Sequence, residues 1–144
     1  MVTVSMRVFL LRLSFDTGML NDHFCSFHKG FDWLSRLSKR GEKFDIVILD
    51  PPSTSVGKKK KRWSAKNHYD ELVSLAVPLV KKGGLLWTTT NSASISPTKF
   101  ANMCQKGIVN TGVKKAKLER VAPMPLDFPS VGTPPVKNFV WRIS

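Results

Sequence analysis

The chain has 144 residues, which suits one domain or a large part of one. Hydrophobic residues make up 42% of it, a share that supports a packed core and excludes global disorder. Lysine and arginine number 23 against 10 acids, giving a net charge of +13, so a polyanionic partner is indicated, with nucleic acid before an anionic membrane surface. No apolar run approaches the roughly 18 residues that a membrane-spanning helix needs.

The predicted elements alternate between strands and helices along the chain. In order they are strands over 2–13 and 23–27, a helix over 31–39, a strand over 44–49, a basic loop over 57–66, a helix over 67–82 ended by Gly83-Gly84, a strand over 85–90, a helix over 97–106 capped by Ser96 and ended by Gly107, and strands over 115–121 and 137–143. The continuous apolar run from Ile46 to Leu49 is typical of a parallel strand covered on both faces. This alternation predicts an α/β layer fold with a mainly parallel sheet.

The two cysteines, Cys25 and Cys104, lie far apart and in no spacing typical of a metal or redox site. They favour a reducing, intracellular compartment, either the cytoplasm or an organelle matrix, where both serve as small core hydrophobes. Together with His23 and His28, Cys25 supplies too few ligands for a closed zinc site, so no metal is expected.

A carboxylate and two prolines directly follow the strand over 44–49. Proline cannot extend a hydrogen-bonded ladder, so Asp50-Pro51-Pro52-Ser53 ends this strand. Ligands of open α/β sheets bind beyond the carboxyl ends of the strands, which places Asp50 to accept hydrogen bonds from a bound amine or base. The same tetrapeptide is equally compatible with a plain strand end.

Three strings stand in order along the chain: FDIVILDPPS, RWSAKNHYDELVSLAVPLVKKGGLLWTTTNSAS and VKNFVWRIS. Asp50-Pro51-Pro52 resembles the (Asp/Asn)-Pro-Pro signature of class I methyltransferases that act on nucleic acids. Over residues 21–144 the chain resembles the large-subunit ribosomal RNA methyltransferases, a family with cytosine-5 and guanine-N7 enzymes. The resemblance implies a partial catalytic domain over 21–144, with a Rossmann-like sheet that lacks its first strands and ends in an antiparallel strand. Residues 1–20 are expected to form an atypical N-terminal segment.

The resemblance also implies roles for individual residues. Asp50 would line the junction between the cofactor, S-adenosylmethionine, and the target base, while Pro51 and Pro52 would shape the base pocket. The substrate-binding residues implied are Ser53 and Asn91 at the base, Lys58, Lys59, Lys60, Lys61 and Arg62 along RNA phosphates, and Trp63 stacked on a base. A solvated loop at the lysine run, a plain turn at Asn91 and core packing of Tyr69 are the competing interpretations.

The chain departs from the family pattern at two places. No two glycines stand as Gly-x-Gly, so the glycine-rich turn that holds the cofactor is absent, and Asp32 is the substitute for the acid near the adenine. Where cytosine-5 enzymes carry a nucleophilic cysteine, this chain has Thr90-Asn91-Ser92. A nitrogen target such as guanine N7 is therefore favoured over cytosine carbon-5.

The sequence thus predicts an S-adenosylmethionine-dependent methyltransferase acting on RNA, with ribosomal RNA as the partner that the resemblance implies. Truncation and inactivity of the isolated chain are expected from the missing glycine-rich turn, and an oligomer is compatible with this hypothesis. A non-catalytic, basic RNA-binding remnant of the methyltransferase fold is the alternative. A third interpretation is a fragment without a stable fold, because a sheet that lacks strands exposes edges and apolar faces.

Overall fold

A computed structural model describes residues 6–13, 20–27, 30–56, 62–113, 115–122 and 135–144. Its elements in chain order are β1 (Met6–Leu13), β2 (Leu20–Phe27), α1 (Gly30–Lys39), β3 (Phe44–Asp50), β4 (Thr54–Val56), β5 (Arg62–Ser64), α2 (Ala65–Ala76), β6 (Val80–Thr90), α3 (Pro97–Val109), β7 (Ala116–Ala122) and β8 (Lys137–Ile143). A short 3-10 helix, Val77–Leu79, joins α2 to β6. Six strands form one sheet in the order β2-β1-β3-β6-β8-β7, and β4 and β5 form a separate hairpin.

The sheet is mixed, with its parallel pair at the centre. β3 and β6 run parallel, whereas the pairs β1–β2, β1–β3, β6–β8 and β7–β8 are antiparallel. The α/β class and the antiparallel C-terminal strand are confirmed. The described strands nevertheless contain more antiparallel pairing than the sequence predicted, because β1 reaches β3 from a hairpin with β2 rather than through a crossover helix. A domain boundary at residue 20 stays a prediction.

The two faces of the sheet have different surroundings. Val47, Leu49 and Leu86 are fully buried and belong to one core cluster with residues of α1, α2 and α3. The alternate residues point the other way, as the pleat requires. We call this second side the open face; its central residues are Ile46, Ile48, Leu85, Trp87 and Val140. Trp87 is 37% exposed, and among the described residues the helices pack on the opposite face.

The helix predicted over 67–82 is wrong at both ends. α2 begins at Ala65, so Arg62–Lys66 is not a loop, and it ends at Ala76. Pro78 lacks the amide hydrogen that an α-helix needs, and the chain passes through the 3-10 helix into β6. Gly83-Gly84 therefore lies inside β6, at a register shift against β3, and Lys81 forms an ion pair with Asp45 at 2.8 Å.

The helix predicted over 97–106 is confirmed at its start and wrong at its end. Ser96 caps α3 by accepting a hydrogen bond from the amide of Lys99 at 3.2 Å. Gly107 does not end this helix, which continues to Val109. A Cβ atom on Gly107 would lie 2.5 Å from the carbonyl oxygen of Asp70 and 2.7 Å from Cβ of Val73. Glycine at this position thus permits the close contact between α2 and α3.

Candidate active site

The carboxyl ends of β3 and β6 lie side by side because the two strands are parallel and adjacent. Asp50 is the last residue of β3, and Asn91 is the first residue after β6. Both line an open cavity of about 430 Å³ at this edge of the sheet. The other lining residues are Phe9, Ile48, Trp87, Thr89, Val136 and Asn138. The structure therefore brings together two polar residues that the sequence predicted at a ligand site.

A hydrogen bond outside the cavity orients Asn91. The hydroxyl of Ser53 donates to Oδ1 of Asn91 at 2.9 Å. With its oxygen engaged, the Nδ2 group of Asn91 can donate to an acceptor in the cavity, whereas the carboxylate oxygens of Asp50 can accept. The cavity thus offers a donor and an acceptor at one edge, which is what hydrogen bonding to the edge of a base requires.

Tyr69 connects the two strands behind these residues. Its hydroxyl lies 3.2 Å from the carbonyl oxygen of Leu49, directly before Asp50, and 2.8 Å from that of Thr89, two residues before Asn91. The amide of Thr89 donates back to the hydroxyl at 3.1 Å. Burial raises the pKa of Tyr69 well above its ordinary value, so this group stays a neutral phenol and keeps its proton. Core packing of Tyr69 is therefore combined with a polar role that sequence reasoning missed.

A buried lysine holds the chain just past Asn91. The side chain of Lys137 donates to the carbonyl oxygen of Ser92 at 2.8 Å, and the residue is only 4% exposed. Burial lowers the pKa of Lys137, since desolvation disfavours its charged form. The amide of Ser92 in turn donates to Oγ1 of Thr90 at 3.3 Å. These bonds fix the turn that presents Asn91.

In the sequence the basic segment stands between β4 and β5, which pair as an antiparallel hairpin. The amide of Ala65 donates to the carbonyl oxygen of Ser53 at 2.9 Å, which closes the hairpin beside the end of β3. Arg62 is exposed on β5 and its contact with RNA stays a prediction, whereas Lys58–Lys61 lie outside the described residues. The base-stacking role predicted for Trp63 is not supported, because this residue is 9% exposed and its ring packs edge-on against Phe31 at 6.2 Å. Trp63 anchors the hairpin in the core.

Three further residues with predicted roles lie outside the cavity lining. Pro51 is buried and Pro52 half-buried, and they lead the chain from β3 towards β4. Asp32 is exposed in the first turn of α1. Within the described ranges, no cluster of three or more histidines, cysteines or acids could hold a metal ion. No helix in the part of the chain that the structure describes is long and apolar enough to span a membrane.

Sequence reasoning missed the walls of the cavity. Ile48, Trp87, Thr89 and Asn138 alternate with buried residues along β3, β6 and β8, and all four point to the open face. The period-two alternation of the last strand was a usable signal for Asn138. Phe9 was harder to find, since its place beside Ile48 depends on the antiparallel pairing of β1 with β3.

Comparison with solved structures defines the class of fold. A protein described as a methyltransferase and solved in complex with SAH superposes with a TM-score of 0.68 at 24% identity, over 78% of this chain and 30% of that one. A protein described as a SAM-dependent methyltransferase from Streptococcus mutans gives a TM-score of 0.65, also at 24% identity, over 78% of this chain and 29% of its own. The sheet and its helices are therefore part of a class I methyltransferase fold.

The sequence relatives of this chain are described as ribosomal RNA methyltransferases. The chain is 27% identical over 110 residues to YwbD of Bacillus subtilis, described as a ribosomal RNA large subunit methyltransferase, covering 76% of this chain and 27% of the relative. It is 29% identical over 117 residues to ribosomal RNA large subunit methyltransferase I of Salmonella arizonae, covering 78% of this chain and 28% of the relative. No family model matches the chain. The resemblance stated from the sequence is confirmed, and the chain spans less than a third of the length of these homologues.

Proposed function

We propose that this chain forms the acceptor side of the active site of an S-adenosylmethionine-dependent methyltransferase that acts on RNA. The observation that carries this proposal is the meeting of Asp50 and Asn91 in one cavity at the carboxyl ends of two parallel strands. Ligands of α/β sheets bind at such edges. The names of the homologues favour ribosomal RNA as the substrate.

The described side chains favour a nitrogen acceptor. Asn91 carries no sulfur nucleophile, and Cys104 donates to Thr88 from the helix side of the sheet, away from the cavity. Burial raises the pKa of Cys104 to about 12, so its thiol is not available as a thiolate near neutral pH. Asp50 would accept from an amino or imino hydrogen of the base, and Asn91 would donate to a neighbouring acceptor. Such orientation supplies much of the rate of a direct transfer.

The residues present fit one end of the cofactor. Its methyl-bearing end needs a polar edge beside a shaped wall, which Asp50, Asn91 and Trp87 provide. None of the described glycines lines the cavity, so a backbone turn for the adenosine is not found among the described residues. When bound, S-adenosylmethionine supplies the electrophilic methyl group. Contact of Asp32 with the adenine stays a prediction.

Calorimetric titration of the folded chain with S-adenosylmethionine and with SAH tests the proposal. We expect binding that Asp50→Asn weakens about tenfold, as for one lost charge-assisted contact, whereas the exposed Glu71→Gln has no effect. A methylation assay on a ribosomal RNA transcript follows with the same variants. Absence of cofactor binding by a chain with a cooperative unfolding transition would overturn catalysis by this chain alone.

RNA binding without catalysis is a second candidate, favoured by the net charge of +13 and by the position of the lysine run in the sequence, between β4 and β5. Replacing Lys58–Lys61 by glutamine should lower the slope of log affinity against log salt by about 3, since each phosphate contact with single-stranded RNA contributes roughly 0.7. Asp50→Asn should leave this RNA affinity unchanged. An unchanged salt slope would exclude the lysine run as the RNA contact.

A further inference from the structure

Basic residues gather at the end of the sheet opposite the candidate active site. This end holds the starts of β3, β6 and β7 and the end of β8, because β6 is parallel to β3, and β8 is antiparallel to both β6 and β7. The turn between α1 and β3 lies there as well. We call this end the basic rim; its exposed lysines and arginines are Lys39, Arg40, Lys43, Lys82, Lys115 and Lys117.

Hydrogen bonds between neighbouring strands hold the basic rim together. The Nη1 group of Arg142 donates to the carbonyl oxygen of Gly83 at 2.7 Å, which joins the end of β8 to the start of β6. The amide of Ser144 donates to the carbonyl oxygen of Lys115 at 2.9 Å, which joins the same end to the start of β7. From β3 to β7 the rim crosses three strand spacings, or about 14 Å. Its cations therefore lie along one continuous edge.

The acids at the basic rim are already neutralised. Each of them forms an ion pair, and these pairs are Arg12–Glu42, Lys81–Asp45 and Arg142–Glu119. The exposed cations of the rim form no ion pair within the described part of the chain. Lys43 donates to a neutral group, the carbonyl oxygen of Pro78, at 2.6 Å. The rim thus presents a row of uncompensated positive charges, which suits a polyanion better than a single acidic side chain.

The form of the polyanion follows from the side chains that the basic rim presents. Among the residues whose burial the structure describes, Trp87 is the one exposed aromatic, and it lines the cavity at Asp50 rather than the rim. Proteins bind single strands by stacking bases on aromatic rings, whereas they recognise duplex RNA through its shape and its phosphates. Exposed lysines and arginines without an exposed aromatic ring therefore favour a duplex.

We propose that the basic rim binds the phosphates of a double-stranded RNA segment, while the candidate active site takes an unpaired base of the same molecule. This inference rests on the proposed function, since it assigns the RNA substrate a duplex beside its target base. β3 has 7 residues, so the rim and Asp50 lie about 20 Å apart. At roughly 3.4 Å per phosphate along each strand of a duplex, this distance corresponds to at least about six base pairs.

Fluorescence anisotropy at several salt concentrations tests the proposal with two RNA probes. One is a hairpin of about 12 base pairs, twice the estimated span, and the other is a uridine strand with the same number of phosphates. Lys82→Gln and Lys117→Gln should each lower the slope of log affinity against log salt by about 0.9 for the hairpin. Both variants should leave the slope for the uridine strand unchanged. Lys99→Gln, a matched loss of one exposed charge on α3, should change neither slope.

Several outcomes would overturn the proposal. An equal effect of Lys99→Gln would reveal attraction by net charge alone, and equal changes for both probes would remove the preference for a duplex. Vesicles of phosphatidylserine are a third probe: vesicle binding that Lys82→Gln weakens, with hairpin binding intact, would assign the basic rim to a membrane surface. Failure of the proposed function is a separate result, because titration with S-adenosylmethionine does not involve the rim.

A chain that binds the hairpin through the rim but takes up no S-adenosylmethionine would retain the duplex contact and lose catalysis by this chain alone. A chain that binds S-adenosylmethionine, with the same salt slope for the hairpin in wild type and both rim variants, would show the opposite. The substitutions replace exposed side chains, so all variants are expected to keep the fold.

Discussion

The hydroxyl of Tyr69 donates to the carbonyl oxygen of Thr89 at 2.8 Å, and the amide of Thr89 donates back to the same hydroxyl at 3.1 Å. Tyr69→Phe keeps the ring and removes these bonds. We expect a loss of about 1–3 kcal/mol in the free energy of unfolding, because buried backbone groups lose their partner. Urea denaturation measures this loss. The side-chain amide resonance of Asn91 should also shift, since the end of β6 is no longer tied to α2.

A matched control separates this polar role from packing. The ring of Phe100 lies 4.7 Å from that of Tyr69 and carries no hydrogen-bonding group of its own. Phe100→Leu should lower stability through lost packing alone, and it should leave the Asn91 amide resonance in place. Equal shifts in both variants would show that Tyr69 acts only as core.

Ser53 and Asn91 yield a prediction about binding rather than stability. Ser53→Ala removes the donor to Oδ1 of Asn91, a bond at the surface, so the free energy of unfolding should change by less than about 0.5 kcal/mol. The amide of Asn91 then rotates freely, and affinity for a nucleoside in the cavity should fall about threefold to tenfold. Titration followed by NMR measures this change. The exposed Thr54→Ala is the control, and an equal loss in both variants would contradict an orienting role for Ser53.

Burial of Lys137 predicts a dependence of stability on pH. Its pKa in the folded chain is lower than the ordinary 10.5, so between these two values the unfolded chain binds more protons. The contribution of Lys137 to the free energy of unfolding therefore rises with pH between the folded-state and unfolded-state pKa values. Below the folded-state pKa the buried side chain is charged, and the full free-energy cost of burying that charge is present. The wild-type free energy of unfolding, compared with that of Lys137→Met, should increase from neutral pH towards 10.5. A constant difference across this range would show that Lys137 titrates normally.

Gly107 sets the distance between α2 and α3. In Gly107→Ala the new methyl group would lie 2.5 Å from the carbonyl oxygen of Asp70, so the helices must separate. Overpacking of this kind costs about 1–3 kcal/mol, and alanine recovers roughly 1 kcal/mol through helix propensity. We expect a net loss of up to about 2 kcal/mol in the free energy of unfolding, measured by thermal or urea denaturation. Gln105→Ala, on the exposed side of the same helix, should change stability by less than about 0.5 kcal/mol.

The parts of the fold that local pattern determines were predictable. The apolar run of β3 and the alternation of β8 identify strands without any partner, and Ser96-Pro97 marks the start of α3 through capping chemistry. Val80–Lys82 was predicted as helix, because its residues also fit the helical period of α2, whereas it begins β6. Pairing with β3 decides the strand there. Local sequence carries no trace of that tertiary contact.

The candidate site also combines residues that the local sequence predicted with residues whose roles depend on tertiary packing. Asp50 and Asn91 were predictable because each follows a strand, and strand ends are where sheets bind ligands. The burial of Trp63 and the hydroxyl contacts of Tyr69 depend on how the hairpin and α2 pack against the sheet. Both residues are aromatic and near charged segments, so their sequence surroundings suit either a surface or a core position. Only the packing distinguishes these positions.

The single parallel pair among the described strands has a consequence for the order of folding. β1–β2 and β7–β8 are antiparallel pairs of strands adjacent in sequence, and pairs of this kind form on the microsecond scale. The pairs β1–β3, β3–β6 and β6–β8 each join residues that are distant in sequence, and such non-local contacts form more slowly than local ones. Asp50 and Asn91 lie at the ends of β3 and β6. We therefore expect the candidate site to be complete only after these non-local contacts have formed.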